Sequence, residues 1–310
     1  MKNNRWNTGD MPSLTGKKVI VTGANSGLGY EATKALSAAG ASVVMACRNI
    51  EKGMQAKNRL ENELNWSDLT VMKVDLGDLS SVRDFAQSYT DREERLDILV
   101  NNAGLMAIPF MTSVDGIEMQ FAVNHLGHFA LTGLLYPLLM STPGARVVNV
   151  SSMAHNMGRL DLDNLENETG YSKWKAYGRS KLANLLFTHE MNRRLDGQDL
   201  MALSAHPGYA ATELVFKGPE LEQKKWKNSL MELGNRLLGQ PASMGALPVL
   251  FAATSPAAER SAYYGPGGFA GMRGYPVKTK PVDGKVNDAD AERLWNLSMK
   301  LSGIYWLNGR

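Results

Sequence analysis

Short apolar runs alternate with amphipathic stretches along most of the chain. The runs at Lys18–Thr22, 42–46, 69–74, 97–100, Arg146–Val150 and 200–205 are each bounded by turn or polar residues. That pattern predicts β-strands buried on both faces of a sheet. Between them, residues 28–39, 51–64, 79–89 and 180–195 carry apolar side chains at helical spacing, and Gly40 closes the first of these. Strand–helix alternation predicts an α/β fold: one doubly wound parallel sheet with helices on both faces, a single domain over 1–310. The text Tyr264-Gly265-Pro266-Gly267-Gly268 marks a loop around a final strand, and residues 289–301 predict a closing helix.

One stretch breaks the rhythm. Residues 213–240 are rich in charge, with Leu221, Trp226, Leu230, Leu233, Leu237 and Leu238 at mostly helical spacing. Placed before the end of an α/β sheet, the stretch reads either as a lid over a pocket or as a surface helix packed by its leucines.

Composition narrows the function. Hydrophobic residues make up 44% and charged residues 21%, which is enough to build a core. The net charge of +3, from 34 basic and 31 acidic residues, argues against a broad phosphate-neutralising surface and hence against a nucleic-acid partner. Cys47 is the one cysteine, so neither an intramolecular disulfide nor a cysteine zinc site can form. Residues 1–16 contain no apolar signal core, and the longest apolar region, 129–140, is cut by Thr132, Gly133 and Pro137. A cytoplasmic protein without a membrane span is expected. His125, His128, His155, His189 and His206 lack partners at metal-ligand spacing, so no metal site is expected.

Thr22-Gly23-Ala24-Asn25-Ser26-Gly27-Leu28-Gly29 follows the first predicted strand and opens the first helix. A strand feeding a helix N-terminus presents free N–H groups and a positive dipole end, which suit a pyrophosphate. Gly23 and Gly27 allow the turn, and Gly29 lets the helix lie close to the sheet. The second strand ends at Met45-Ala46-Cys47-Arg48, with no acid until Glu51. A carboxylate there would bind a ribose 2′-hydroxyl, whereas Arg48 suits a 2′-phosphate; NADP(H) is favoured, with NAD(H) the alternative.

Tyr177-Gly178-Arg179-Ser180-Lys181 puts a phenol and an ammonium four residues apart, on one face of a helix. A nearby cation is expected to bring the phenol toward a useful pKa for proton transfer. Val148-Asn149-Val150-Ser151-Ser152 ends a predicted strand at the sheet edge where such folds place their chemistry. A serine hydroxyl there can donate to a substrate oxygen. Asn124 sits mid-helix, where an amide is out of place unless it bonds a buried water or backbone group.

Taken together, these residues resemble the short-chain dehydrogenase/reductase family over about residues 16–271. The resemblance implies a Rossmann fold and a catalytic tetrad of Asn124, Ser152, Tyr177 and Lys181, with Ser152 preferred to Ser151. It also implies cofactor contacts at Gly23, Asn25, Ser26, Gly27, Leu28, Gly29, Arg48, Asp75, Leu76, Asn102, Ala103, Gly104, Tyr177, Lys181, Pro207, Gly208 and Thr212. Within the family, Asn-His-Leu-Gly-His-Phe from Asn124 and Ser-Lys-Leu-Ala-Asn from Ser180 are similar to the retinol-dehydrogenase-like group, while the glycine-rich tail is closer to soluble bacterial members. The implied activity is hydride exchange between the cofactor and a lipophilic alcohol, aldehyde or ketone. Tyr177 would be the general acid/base, Lys181 would lower its pKa, and Asn124 would hold a water linking Lys181 to solvent. Association into a homodimer or homotetramer is expected. A cofactor-binding sensor or scaffold without turnover is the reading from another class.

Overall fold

The computed structural model describes residues 5–162, 165, 169–209 and 240–307. Within them the apolar runs form one sheet: β1 (Lys18–Thr22), β2 (Ser42–Cys47), β3 (Asp68–Lys73), β4 (Ile98–Asn101), β5 (Arg146–Val150), β6 (Met201–Ala205), β7 (Tyr263–Pro266) and β8 (Pro276–Thr279). The spatial order is β3-β2-β1-β4-β5-β6-β7-β8, and only β8 runs antiparallel to its neighbour. From β1 the chain builds outward through β2 and β3, then returns to add β4 on β1's other side. Between β1 and β4 the winding reverses, and a crevice opens there at the carboxyl ends of the strands.

Helices cover both faces, as the alternation predicts. α1 (Gly27–Ala38), α2 (Ile50–Glu63) and α6 (Ala242–Thr254) bury Leu28, Leu36, Leu60 and Leu250 against one side. α3 (Leu79–Thr90), α4 (Met119–Phe121 continuing as Gly127–Ser141), α5 (Lys173–Arg194) and α7 (Asp288–Ser302) bury Phe85, Phe129, Phe187 and Trp295 against the other. Each such side chain contributes roughly 1.5–3 kcal/mol through burial. Side-chain caps fix three helix starts: Asn49 accepts from the Lys52 N–H, Asp78 from Ser80 and Ser81, and Asn287 from Asp290.

Four local departures from the sequence reading have physical causes. β3 is not buried on both faces: it ends the sheet, and Asp68, Thr70 and Lys73 are exposed. β8 was not foreseen, because four residues beginning with Pro276 carry little strand signal until Tyr263 pairs with Thr279 across the turn. α5 begins at Lys173 rather than near 180, so Tyr177 and Lys181 ride on one continuous helix. α4 joins a short start, Met119–Phe121, to the body Gly127–Ser141 through a π-helical turn, Ala122–Leu126. Asn124 lies in that turn and not in a regular helix.

α7 packs over α4 and α5 through an aromatic cluster. Phe129 meets Trp295 at 5.0 Å and Trp306 at 5.4 Å between ring centroids, and the two indoles lie 4.7 Å apart. Contacts of this kind add about 0.5–1.5 kcal/mol each beyond area burial. Of the stretch 213–240, read above as a lid or a surface helix, only Gln240 falls among the described residues. Among the described residues no helix is long and apolar enough to cross a membrane.

Candidate active site

The crevice between β1 and β4 is the mouth of a cleft of about 1050 Å³. One end of it is made of backbone. Gly23 and Gly27 hold φ of +66° and +53°, the left-handed region that a side chain disfavours. A Cβ on Gly29 would lie 2.3 Å from the Gly23 carbonyl oxygen, so α1 can approach the turn only without one. Ser26, at the N-cap of α1, makes no side-chain capping bond, which leaves the first-turn N–H groups for a ligand. Cys47 is buried beneath the turn. Its thiol is pushed up to about 11 by burial, against weaker opposing hydrogen bonds from the Ala24 and Asn25 backbone, and it is unreactive there.

Beyond β2, Arg48 lines the same cleft and is exposed, with no acidic partner among the described residues. Lys52 stands beside it, on the first turn of α2, and was not singled out from the sequence. A cradle of glycine backbone, an uncapped helix start and the cations Arg48 and Lys52 fit a dinucleotide phosphate ligand.

The other end is made of side chains. Tyr177 and Lys181 are both buried and both line the cleft, with the Lys181 ammonium 5.8 Å from the centre of the phenol ring. Lys181 Nζ donates to the Val150 carbonyl at 3.1 Å, and the Ser151 hydroxyl donates to the Lys181 carbonyl at 2.8 Å. Ser151 is fully buried and turned to that task. Ser152 is half-buried and hydrogen-bonds the Tyr177 hydroxyl. The expected lowering of the phenol by the ammonium is not seen. Burial dominates both groups, pushing Tyr177 up to about 12, only partly opposed by Ser152, and Lys181 down to about 8.

Asn124 is buried behind this pair and does not line the cleft. Its amide donates to the Leu105 carbonyl at 2.9 Å and to the Ser180 hydroxyl at 2.8 Å, while its oxygen accepts from the Leu105 N–H at 2.7 Å. Both amide hydrogens are spent on protein partners. The side chain ties the loop after β4 to α5 next to Lys181. His155, also buried, bonds the Ser152 carbonyl through Nδ1 at 2.6 Å and steadies the loop after β5.

Asn25, Leu28, Asp75, Leu76, Asn102, Ala103, Gly104, Pro207 and Gly208 all line the cleft as the sequence reading placed them; Thr212 lies outside the described residues. Beside the phenol stands the other wall of the cleft, to which the segment expected there, 153–159, contributes Met153 and Met157. That wall is apolar: Leu105, Met106, Met153, Met157, Trp174 and Met272, with Trp174 meeting Tyr177 edge-on at 6.3 Å. These residues come from the loop after β4, the turn after β5, the start of α5 and the segment after β7, so no contiguous motif announces them. Among the described residues no group of side chains could hold a metal ion.

Comparison with known proteins agrees with this geometry. The model of the short chain dehydrogenase family matches residues 17–222. The chain belongs to the short-chain dehydrogenase family. Human retinol dehydrogenase 12 is 39% identical over 297 residues, covering 94% of this chain and 88% of that protein. Human retinol dehydrogenase 11 is 46% identical over 202 residues, covering 65% of this chain and 64% of that protein. Among solved structures, an uncharacterized protein from Mycobacterium paratuberculosis is 39% identical with a TM-score of 0.79, covering 97% of this chain and 99% of that one. Pseudomonas aeruginosa RhlG in an active-site complex with NADP is 25% identical with a TM-score of 0.61, over 78% of this chain and 91% of that one. This short-chain dehydrogenase is thus a retinol-dehydrogenase-like member, an NAD(P)-dependent oxidoreductase acting on alcohol or carbonyl groups.

Proposed function

We propose that this short-chain dehydrogenase uses NADP(H) to interconvert a lipophilic alcohol and its aldehyde or ketone, with Tyr177 as general acid/base. The observation that carries the reading is a single cleft with Arg48 and Lys52 at one end, Tyr177 and Lys181 at the other, and an apolar wall beside the phenol. Asn25, Ser26, Gly27 and Leu28 would face the pyrophosphate, with Asp75, Leu76, Asn102, Ala103, Gly104, Pro207, Gly208 and Thr212 along the rest of the dinucleotide. The bound cofactor supplies or accepts the hydride.

The chain's own residues manage the oxygen. Ser152 donates to it and orients it toward Tyr177. A phenol pushed up to about 12 holds its proton at neutral pH, so in the reductive direction Tyr177 delivers that proton to the substrate oxygen. The Lys181 ammonium steadies the phenolate left behind. Asn124, through Ser180 and Leu105, keeps α5 in register with the loop after β4. Leu105, Met106, Met153 and Trp174 exclude water and offer no charged partner, which favours an uncharged, lipophilic substrate. A cytoplasmic location and association as a homodimer or homotetramer belong to the same reading.

The test is turnover of a panel of apolar aldehydes, ketones and alcohols with NADPH and NADH, for the native enzyme and Tyr177→Phe. The variant should bind NADPH normally and lose at least about 100-fold in kcat, the contribution of a positioned proton donor. Retention of most turnover by a folded Tyr177→Phe enzyme overturns the assignment.

A further inference from the structure

We propose that His128 is a positioning residue that locks the dinucleotide cradle to the catalytic turn of α4. The inference rests on the reading that this cleft takes a nicotinamide dinucleotide. It concerns a residue whose sequence signal amounted to an ordinary core histidine.

His128 is buried, on the first turn of the α4 body. Its Nδ1 lies 3.1 Å from the Asn124 carbonyl, and its Nε2 lies 2.9 Å from the Thr22 hydroxyl. A carbonyl only accepts, so Nδ1 must carry the hydrogen. Burial holds the ring neutral, which leaves Nε2 as an acceptor, and the Thr22 hydroxyl must therefore donate to it. The direction of every proton in the chain follows from that one carbonyl.

The direction matters because of what else Thr22 does. Its oxygen accepts the N–H groups of Asn102 and Ala103, each at 2.9 Å. With its one hydrogen committed to His128, the hydroxyl is free to take both. The competing acceptor, the Val100 carbonyl, is farther away at 3.3 Å and already receives the Asn102 N–H. Thr22 thus joins the turn that starts at Gly23 to the loop Asn102–Gly104 on the opposite side of the crevice. The Asn102 side chain adds a second tie, donating to the Thr22 carbonyl at 2.7 Å. On the other side of the imidazole, the Asn124 carbonyl belongs to the π-helical turn whose amide braces Leu105 and Ser180. One ring therefore connects both walls of the cofactor site to the helix beside Lys181, and touches neither cofactor nor substrate.

Two measurements on the full chain test this. Nitrogen NMR of histidine-labelled protein, with the His128 signals assigned by their loss in His128→Gln, should show a hydrogen on Nδ1, a bare Nε2 and no titration near neutral pH. A hydrogen on Nε2, or titration in that range, overturns the proposal, and this readout needs no cofactor or turnover.

Equilibrium NADPH binding is then compared for Thr22→Val, His128→Leu, the double variant and His128→Gln. Each single apolar change should weaken binding about tenfold, as expected for a disrupted buried hydrogen bond. The double variant should be no worse than Thr22→Val alone, because His128 acts on the cradle through the Thr22 hydroxyl. Gln, which can both donate and accept, should restore binding to within about threefold of native. Additive losses, unchanged binding in the two single variants, or no rescue by Gln would each defeat the coupling. Should His128→Leu fail to fold, Thr22→Val and His128→Gln still decide the matter: weak binding in the first with near-native binding in the second supports the link, and any other combination rejects it. A native enzyme that binds NADPH yet reduces no carbonyl would defeat the proposed function and leave the role of His128 to these binding data.

Discussion

The two ends of the cleft are built on different principles. The dinucleotide end is largely main chain: a glycine turn, an uncapped helix start and a loop held by one threonine. The substrate end is side chain, with Ser152 from the edge of β5, Tyr177 and Lys181 from α5, and a methionine-rich wall from several loops. A backbone cradle recognises what all its ligands share and tolerates almost no added atom. A side-chain wall sets what differs between substrates and can be refitted one residue at a time.

That contrast can be tested by how steeply each end responds. The largest effect is expected at Gly29→Ala. The new methyl meets the Gly23 carbonyl at 2.3 Å, a backbone atom that cannot rotate away. NADPH affinity should fall on the order of a hundredfold, the cost of overpacking against a fixed neighbour. Near-native titration calorimetry for a folded variant would show that the cradle is softer than described.

Arg48→Ala comes next. It should raise the KM for NADPH roughly tenfold, the loss of one charge-assisted contact, while leaving NADH kinetics almost unmoved. Equal effects on both cofactors would remove the 2′-phosphate from the account and turn attention to Lys52.

The smallest effect lies in pH. Lys181 is pushed down to about 8 by burial, so it is charged below that value and neutral above it. If the ammonium steadies the phenolate, reductive kcat/KM should be flat through neutrality, about half its plateau at the pKa of Lys181, and lower beyond. A profile that stays flat well above pH 8 would show either that the ammonium is dispensable or that its pKa lies higher in the working enzyme.

The difference between the ends also explains what the sequence could disclose. The glycine turn, Arg48 and the Tyr177–Lys181 pair are contiguous or set at fixed helical spacing, so periodicity and turn chemistry locate them; the Asn102–Gly104 loop was legible only through the family resemblance. β1, β2, β4, β5 and β6 were legible because central strands are near-continuous apolar runs. The edge strand β8 was not, since its stability comes from pairing with β7 and not from its own residues. The same limit hid Trp174, Met106 and Met272, which become neighbours only after folding. It also hid the partners of Asn124 and the burial of the phenol. The amide's partners, Leu105 and Ser180, lie far from one another in sequence, and the depth of burial that raises Tyr177 is a property of the assembled site.

The aromatic seam under α7 has an outcome in time as well as in space. Every strand of the sheet precedes α7 in the chain, so during synthesis the flank carrying Phe129 and Phe187 emerges before Trp295 and Trp306 can shield it. A nascent molecule therefore spends an interval with an oily side open to chaperones. The helix bearing Tyr177 stays unclamped until that late segment docks.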